Sequence, residues 1–195
     1  MNSLGIWIFV LLAAGQLDCI LAETSNANAV LNYTNSKRKL HGCRPLIWND
    51  KLSENCKQHA EDIAKSGKVT HSKPIDSSYT ENICTFGIKE DALRLCVEKW
   101  YDGARYDIMD AEAQEFTAMI WRSSEYMGYG EAMLGSGTAV MVVRFAPGGN
   151  VLGQYTYNVP PIQKKRDKSL RSNQAYRASL SMFTIMTIIY WTVTF

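Results

Sequence analysis

Few residues in this chain could carry acid–base or metal chemistry, and their spacing selects among them. There are three histidines. His59 reads as a helix position among polar neighbours and His41 as a helix end, places where a structural or solvated role suffices. His71 stands apart because Glu81 follows across a single polar loop that can bring the two side chains together. An imidazole and a carboxylate so placed could share a divalent ion or act as a proton-transfer pair, although a zinc site normally takes three or four ligands. The sequence has no Ser-His-Asp order, no Gly-rich phosphate loop and no repeated metal-ligand spacing. On residue chemistry alone, no catalyst emerges.

The elements that must position these groups are easier to read. Ala139 to Phe145 is apolar enough for a central strand, Met127 to Ala132 alternates like a half-buried one, and Ala146-Pro147-Gly148-Gly149-Asn150 turns the chain into a last strand over 154–159. Upstream, residues 26–40 suit a surface helix ended by His41-Gly42. Asn49 or Asp50 caps a second helix whose stripe is Leu52, Cys56, Ala60, Ile63 and Ala64. A strand over 69–72 and a polar loop reaching Thr80-Glu81-Asn82-Ile83 follow. A third helix spans about 90–105, with Leu93, Cys96, Val97, Trp100 and Tyr101 inward, and a fourth begins at Glu112. This order predicts an α+β domain with an antiparallel sheet covered by helices on both faces.

At 195 residues, with 46% hydrophobic content, the chain can build one core plus appendages. A formal charge of +2 gives no reason to expect a nucleic-acid partner, and Lys164-Lys165-Arg166 reads as a solvated linker within residues 163–177. Residues 4–14 form an apolar run of signal-peptide length, with cleavage sites after Gly15 or Ala22. The later site, giving a signal peptide of residues 1–22, removes Cys19 and leaves Cys43, Cys56, Cys84 and Cys96. An even set in an exported domain implies two disulfides, and proximity favours Cys43–Cys56 with Cys84–Cys96 among three connectivities. Asn32-Tyr33-Thr34 is a glycosylation sequon. Residues 178–195 are uncharged and largely apolar, and three readings stay open: a glycolipid-anchor signal, a membrane span or a secreted tail. The expected location is the secretory pathway, ending outside the cell or on its surface.

These motifs together resemble a known family. His71-Ser72, Glu81-Asn82-Ile83, Trp100-Tyr101, Phe116-Thr117-Ala118-Met119-Ile120-Trp121, Met127-Gly128-Tyr129-Gly130 and Pro147-Gly148-Gly149-Asn150 occur in one order over residues 26–162. The stretch resembles the superfamily of cysteine-rich secretory proteins, antigen 5 and pathogenesis-related proteins (the SCP or CAP domain), closest to its Golgi-associated plant pathogenesis-related subgroup. The resemblance implies a three-layer α-β-α sandwich around a central antiparallel sheet. It also implies a cleft lined by two histidines and two acids, which map here onto His71, Glu81, Gly103 and Glu115, with Asp102 one place early. Half of that tetrad has changed. His71, Glu81, Glu115 and Asp102 would suit Ca²⁺ or Mg²⁺ better than Zn²⁺. The reading adopted is a cleft without a cofactor, the alternative being a divalent cation. On the same mapping, Glu115→His with Gly103→Glu should restore metal affinity. The implied function is a non-enzymatic extracellular or cell-surface module binding a lipid or protein ligand. The alternatives are a metal-dependent peptide hydrolase using His71 and Glu81, and a secreted defence or toxin-like effector.

Overall fold

A computed structural model of the chain describes residues 23–72, 78–135 and 137–163. In chain order these form α1 (residues 23–40), β1 (Ile47–Trp48), α2 (Asp50–Ser66), β2 (Thr80–Gly87), α3 (Ala92–Tyr101), two 3₁₀ turns (Asp102–Arg105 and Ala111–Ala113), α4 (Gln114–Ile120), β3 (Tyr126–Gly135), β4 (Thr138–Ala146) and α5 (Tyr155–Asn158). The chain divides into units Met1–Ile162 and Gln163–Phe195, and every one of these elements belongs to the first. The expected signal peptide, and the linker and tail beyond residue 163, lie outside the described residues.

The strands lie in the order β1-β3-β4-β2. β4 is antiparallel to β3 and β2, as expected, whereas β1 runs parallel to β3 through Ile47 and Trp48, so the sheet is mixed at one edge. A parallel neighbour needs a long crossover, and the chain between β1 and β3 supplies one through α2, α3 and α4. Alternation along β4 separates two cores. Val140 and Val142 pack with Cys56, Ala60 and Ile63 of α2. Met141, Val143 and Phe145 pack with Ala27 and Val30 of α1, Val97 and Trp100 of α3, and Phe116 and Met119 of α4. The helices therefore cover both faces of the sheet, giving the three layers.

Helix α2 starts where Asn49, in extended geometry, accepts Leu52 N–H, and stops at Gly67, whose φ of 68° suits glycine and whose N–H reaches Ile63 O. It lies directly on β3. A Cβ on Gly128 would stand 2.5 Å from the Leu52 carbonyl carbon, and one on Gly130 would stand 2.1 Å from Lys57 N. Only glycine lets helix and strand approach this closely.

Four expectations need correction. The strand expected over residues 69–72 is irregular chain that joins no strand of the sheet. Residues 80–87, read as a polar loop at their start, form the full edge strand β2 paired to β4 from Thr80↔Phe145 to Gly87↔Thr138. Its Glu81 and Asn82 read as loop residues because their partners lie far away in sequence. The last strand expected over 154–159 is the short helix α5, in which Asn158 Nδ2 bonds Gln154 O while its Oδ1 accepts Ser123 N and Oγ. The cysteines also differ. Cys84 and Cys96 form a disulfide with Cα atoms 6.0 Å apart, tying β2 to α3, but Cys43 and Cys56 are both free and buried. Cys56, on α2, packs with Val140 and Val142 on one face of the sheet, while Cys43 Sγ reaches the carbonyl of Ile120, which packs on the other, so the sheet stands between them. Nearness in sequence did not reveal that they belong to opposite layers.

Candidate functional site

The cleft forms where β2 begins, between the segment leaving α2 and the start of α4. The turn after β4 fixes both walls. Asn150, at φ 57°, accepts Thr117 Oγ1 at 2.7 Å and donates to Gln114 O at 3.0 Å, holding α4. Gly149 N approaches Thr80 Oγ1 at 3.4 Å on β2, and a Cβ on Gly149 would stand 2.7 Å from the Trp121 ring. The result is an open cleft of about 420 Å³ lined by His71, Ser72, Tyr79, Thr80, Glu81, Asn82, Ala111, Gln114, Glu115 and Asn150.

Glu81 is its most constrained residue. Oε1 accepts Ser72 N at 2.9 Å and His71 Nδ1 at 3.2 Å, while Oε2 accepts Ser72 Oγ at 2.7 Å and Arg144 Nε at 2.9 Å. Both oxygens thus have their two lone-pair directions filled. The Glu81 and Arg144 side chains are only 4% and 6% exposed and stand directly opposite each other across β2 and β4. The Arg144 guanidinium also lies over the Tyr79 ring at 4.3 Å, and Tyr79 OH meets Ser72 Oγ at 2.9 Å. Burial pushes the Glu81 carboxyl up, but the two Ser72 bonds and Arg144 outweigh it and hold its pKa below 4.5.

Glu115 is the opposite case. Burial raises its pKa above 4.5, against weaker opposing pulls from Lys99 and His71. Its backbone carbonyl accepts Asn82 Nδ2 at 2.9 Å, and the buried Asn82 Oδ1 has no hydrogen-bond partner among the described residues. The structure thus brings His71, Glu81 and Glu115 to one cleft. It does not bring the other two expected residues there. Asp102 is solvent-exposed and paired with Arg105 at 2.9 Å. Gly103 is buried, and a Cβ there would stand 2.9 Å from both Glu112 O and Phe116 Cβ. A glutamate at position 103 would therefore require α4 to move before it could join the cleft. Among the described residues no three His, Cys, Asp or Glu side chains gather as a metal-binding group. The donors that do meet do not fit a divalent ion, since Glu81 offers no free lone pair.

Two contributors escaped the sequence reading. His59 lies 3.7 Å from Glu81 Oε1, and its Nε2 meets Thr70 O at 2.9 Å. Its position was legible, because residues 56, 59, 60 and 63 together make the i, i+3, i+4, i+7 stripe of α2. Arg144 was legible too, as a lone charge inside an apolar strand that had to find a buried partner.

His41 belongs to the scaffold. Its Nδ1 lies 2.6 Å from Pro160 O, its Nε2 2.9 Å from Tyr101 OH, and its ring packs edge-on against Phe116. Burial lowers its pKa below 6.5, against the Pro160 hydrogen bond. The folded state therefore resists a proton that the unfolded chain accepts. This has no effect above pH 6.5 and costs stability as pH falls below it, at most about 1.4 kcal/mol per pH unit. Denaturant midpoints measured from pH 7 to 5 should fall, and less so for His41→Gln. Parallel profiles for the two proteins would refute this role.

Comparison with known proteins yields concordant likenesses. The profile of the cysteine-rich secretory protein family matches residues 31–145. A probable pathogenesis-related protein of Candida albicans is 30% identical over 149 residues, covering 73% of this chain and 70% of the relative. Golgi-associated plant pathogenesis-related protein 1 of Homo sapiens is 27% identical over 144 residues, covering 70% and 94% respectively. The solved structure of Schistosoma mansoni venom allergen-like protein 4 shares the fold, with a TM-score of 0.53 at 18% identity over 74% of this chain and 97% of that one.

Proposed function

Since the chain belongs to the cysteine-rich secretory protein family, we propose that it is a non-enzymatic binding module that takes a lipid or protein ligand in the cleft of His71, Glu81 and Glu115. The observation carrying this reading is the saturation of Glu81. A carboxylate that accepts four hydrogen bonds and is ion-paired to Arg144 has no lone pair left to take a proton from water or to hold a metal-bound nucleophile. What remains for a ligand is an open polar cavity with the exposed His71 imidazole and the Glu115 carboxyl. Work outside the cell or at its surface is supported by the Cys84–Cys96 disulfide, which suits an oxidising compartment, together with the signal-like N-terminus. Asn32 lies exposed on α1, where a glycan would project away from the core.

The test is vesicle co-sedimentation of the full chain against its His71→Ala/Glu115→Gln variant, with and without sterol, anionic lipid and calcium. Comparing two full chains cancels any binding through the C-terminal tail. The cleft variant should bind at least about tenfold more weakly, the effect of losing one or two hydrogen bonds to a ligand. Equal sedimentation of both proteins under every lipid composition would remove lipid from the proposed ligands of this cleft.

A further inference from the structure

Away from the cleft, one cavity gathers positive charge that no described residue pairs. We propose that this cavity, between the segment leading into β1 and the segment joining α4 to β3, is a second binding site, where Arg44 and Arg122 take the phosphate or sulfate group of an ester. This does not depend on which ligand the cleft takes.

Most described arginines are satisfied within the fold. Arg38 donates to four backbone carbonyls, Arg94 and Arg105 pair with Asp91 and Asp102, and Arg144 pairs with Glu81. Arg44 and Arg122 have no ion pair among the described residues, and both line one open cavity of about 590 Å³. Glu125 is the sole carboxylate on that lining and pairs with neither, so the lining carries a net positive charge. Arg122 meets only neutral groups, the Tyr157 ring at 5.0 Å and the Cys43 thiol. Two like charges facing one cavity repel, and an anion held between them removes that cost.

The fold braces both arginines from within. The buried Arg38 Nε donates to Arg44 O at 2.9 Å, and Arg122 N donates to Asn158 O at 2.9 Å. Asn158, itself 2% exposed, also accepts Ser123 N and Oγ on its Oδ1. The backbone of the site therefore needs no ordering when a ligand arrives. A guanidinium fork matches two oxygens of a phosphate or sulfate, and two forks from separate segments suit a tetrahedral group better than a planar carboxylate. Pro45 and the exposed Ile47 and Tyr157 lie on the same lining and offer an apolar wall to the carbon group of the ester.

The experiment is a ligand-observed NMR titration of the full-length protein at low salt with phenyl phosphate, phenyl sulfate and phenol. It compares the wild type with Arg44→Gln, Arg122→Gln, their double variant and Arg44→Lys. The wild type should bind the two esters and not phenol, and uptake of one ester alone supports the proposal for that group. Each Gln variant should bind at least about tenfold more weakly, and Arg44→Lys, which keeps the charge without the fork, should recover only part of the loss. Arg44 is exposed and its side chain bonds no described residue, so Arg44→Gln tests the site even where Arg122→Gln fails to fold. Sedimentation of wild type and double variant with phosphatidylcholine vesicles, with and without phosphatidic acid, separates the sources of the group. A deficit of the double variant on the acidic vesicles as well as with the esters makes a lipid headgroup one source, and a deficit with the esters alone makes the ligand a soluble ester. No wild-type uptake of either ester up to about 10 mM, uptake of phenol as tight as theirs, or uptake that both Gln variants leave unchanged would each overturn the proposal. Neither arginine lines the cleft of His71, Glu81 and Glu115, so this proposal and the binding-module reading can fail separately.

Discussion

Arg38→Met should cost about 4 kcal/mol of folding stability, the largest loss expected from any single side chain outside the cleft. Arg38 sits at the end of α1 with no exposed surface and donates to four backbone carbonyls: Arg44 O at 2.9 Å, Met119 O at 3.0 Å, Trp121 O at 2.9 Å and Ser124 O at 3.0 Å. One guanidinium thereby joins the segment before β1 to the end of α4 and the start of β3. Methionine fills similar space but leaves all four acceptors dry, each worth about 1–3 kcal/mol when buried unpaired. Part of that loss is refunded, because burying the cation is itself unfavourable, as its pKa lowered to about 10 indicates. Urea or guanidinium unfolding with an unchanged slope would report the difference. A loss below about 1 kcal/mol would mean that water reaches those carbonyls and that Arg38 is not their organiser.

Gly130→Ala should be nearly as damaging, at about 3 kcal/mol or more, through overpacking rather than lost hydrogen bonds. The new methyl would lie 2.1 Å from Lys57 N, 2.4 Å from Lys57 Cα and 2.5 Å from the Cys56 carbonyl carbon. These are backbone atoms, which no rotamer change can move aside. Relief requires α2 to lift from β3, opening the layer in which Cys56, Ala60 and Ile63 meet Val140 and Val142. The control is Gly135→Ala, which meets nothing within 4 Å and suffers only the cost of φ 88°, about 1 kcal/mol. Thermal melts placing the two variants at the same midpoint would show that the helix yields without penalty.

The sequence revealed most where neighbours decide conformation. The α2 stripe, the inward face of α3, the pairing-competent runs of β3 and β4, and the Pro-Gly-Gly-Asn turn all follow from periodicity and turn chemistry, and all stand where expected. It revealed least where a residue's partner is remote. Glu81 read as part of a loop because Arg144 lies on another strand, and Arg38 read as one more polar residue on a surface helix because its four acceptors are spread over residues 44–124. The cleft was half legible. His71, Glu81 and Glu115, which the family motifs joined, line one cleft, whereas Asp102 and Gly103, joined to them by position alone, fall in a 3₁₀ turn outside its lining. His59 was passed over because its polar sequence neighbours hid its place on the inner stripe.

The separation of Cys43 and Cys56 by the sheet bears on how this protein is lost. Burial pushes the Cys56 thiol up to about 12 and raises that of Cys43, so neither is a competent nucleophile while the layers hold. Global unfolding removes that protection from both thiols at once and places them on the same flexible chain as the Cys84–Cys96 bond. Thiolate attack on that bond would then scramble the pairing, and a scrambled chain cannot re-form this fold. Survival in an oxidising medium is therefore governed by the duration of each excursion to the unfolded state as much as by how rarely one occurs.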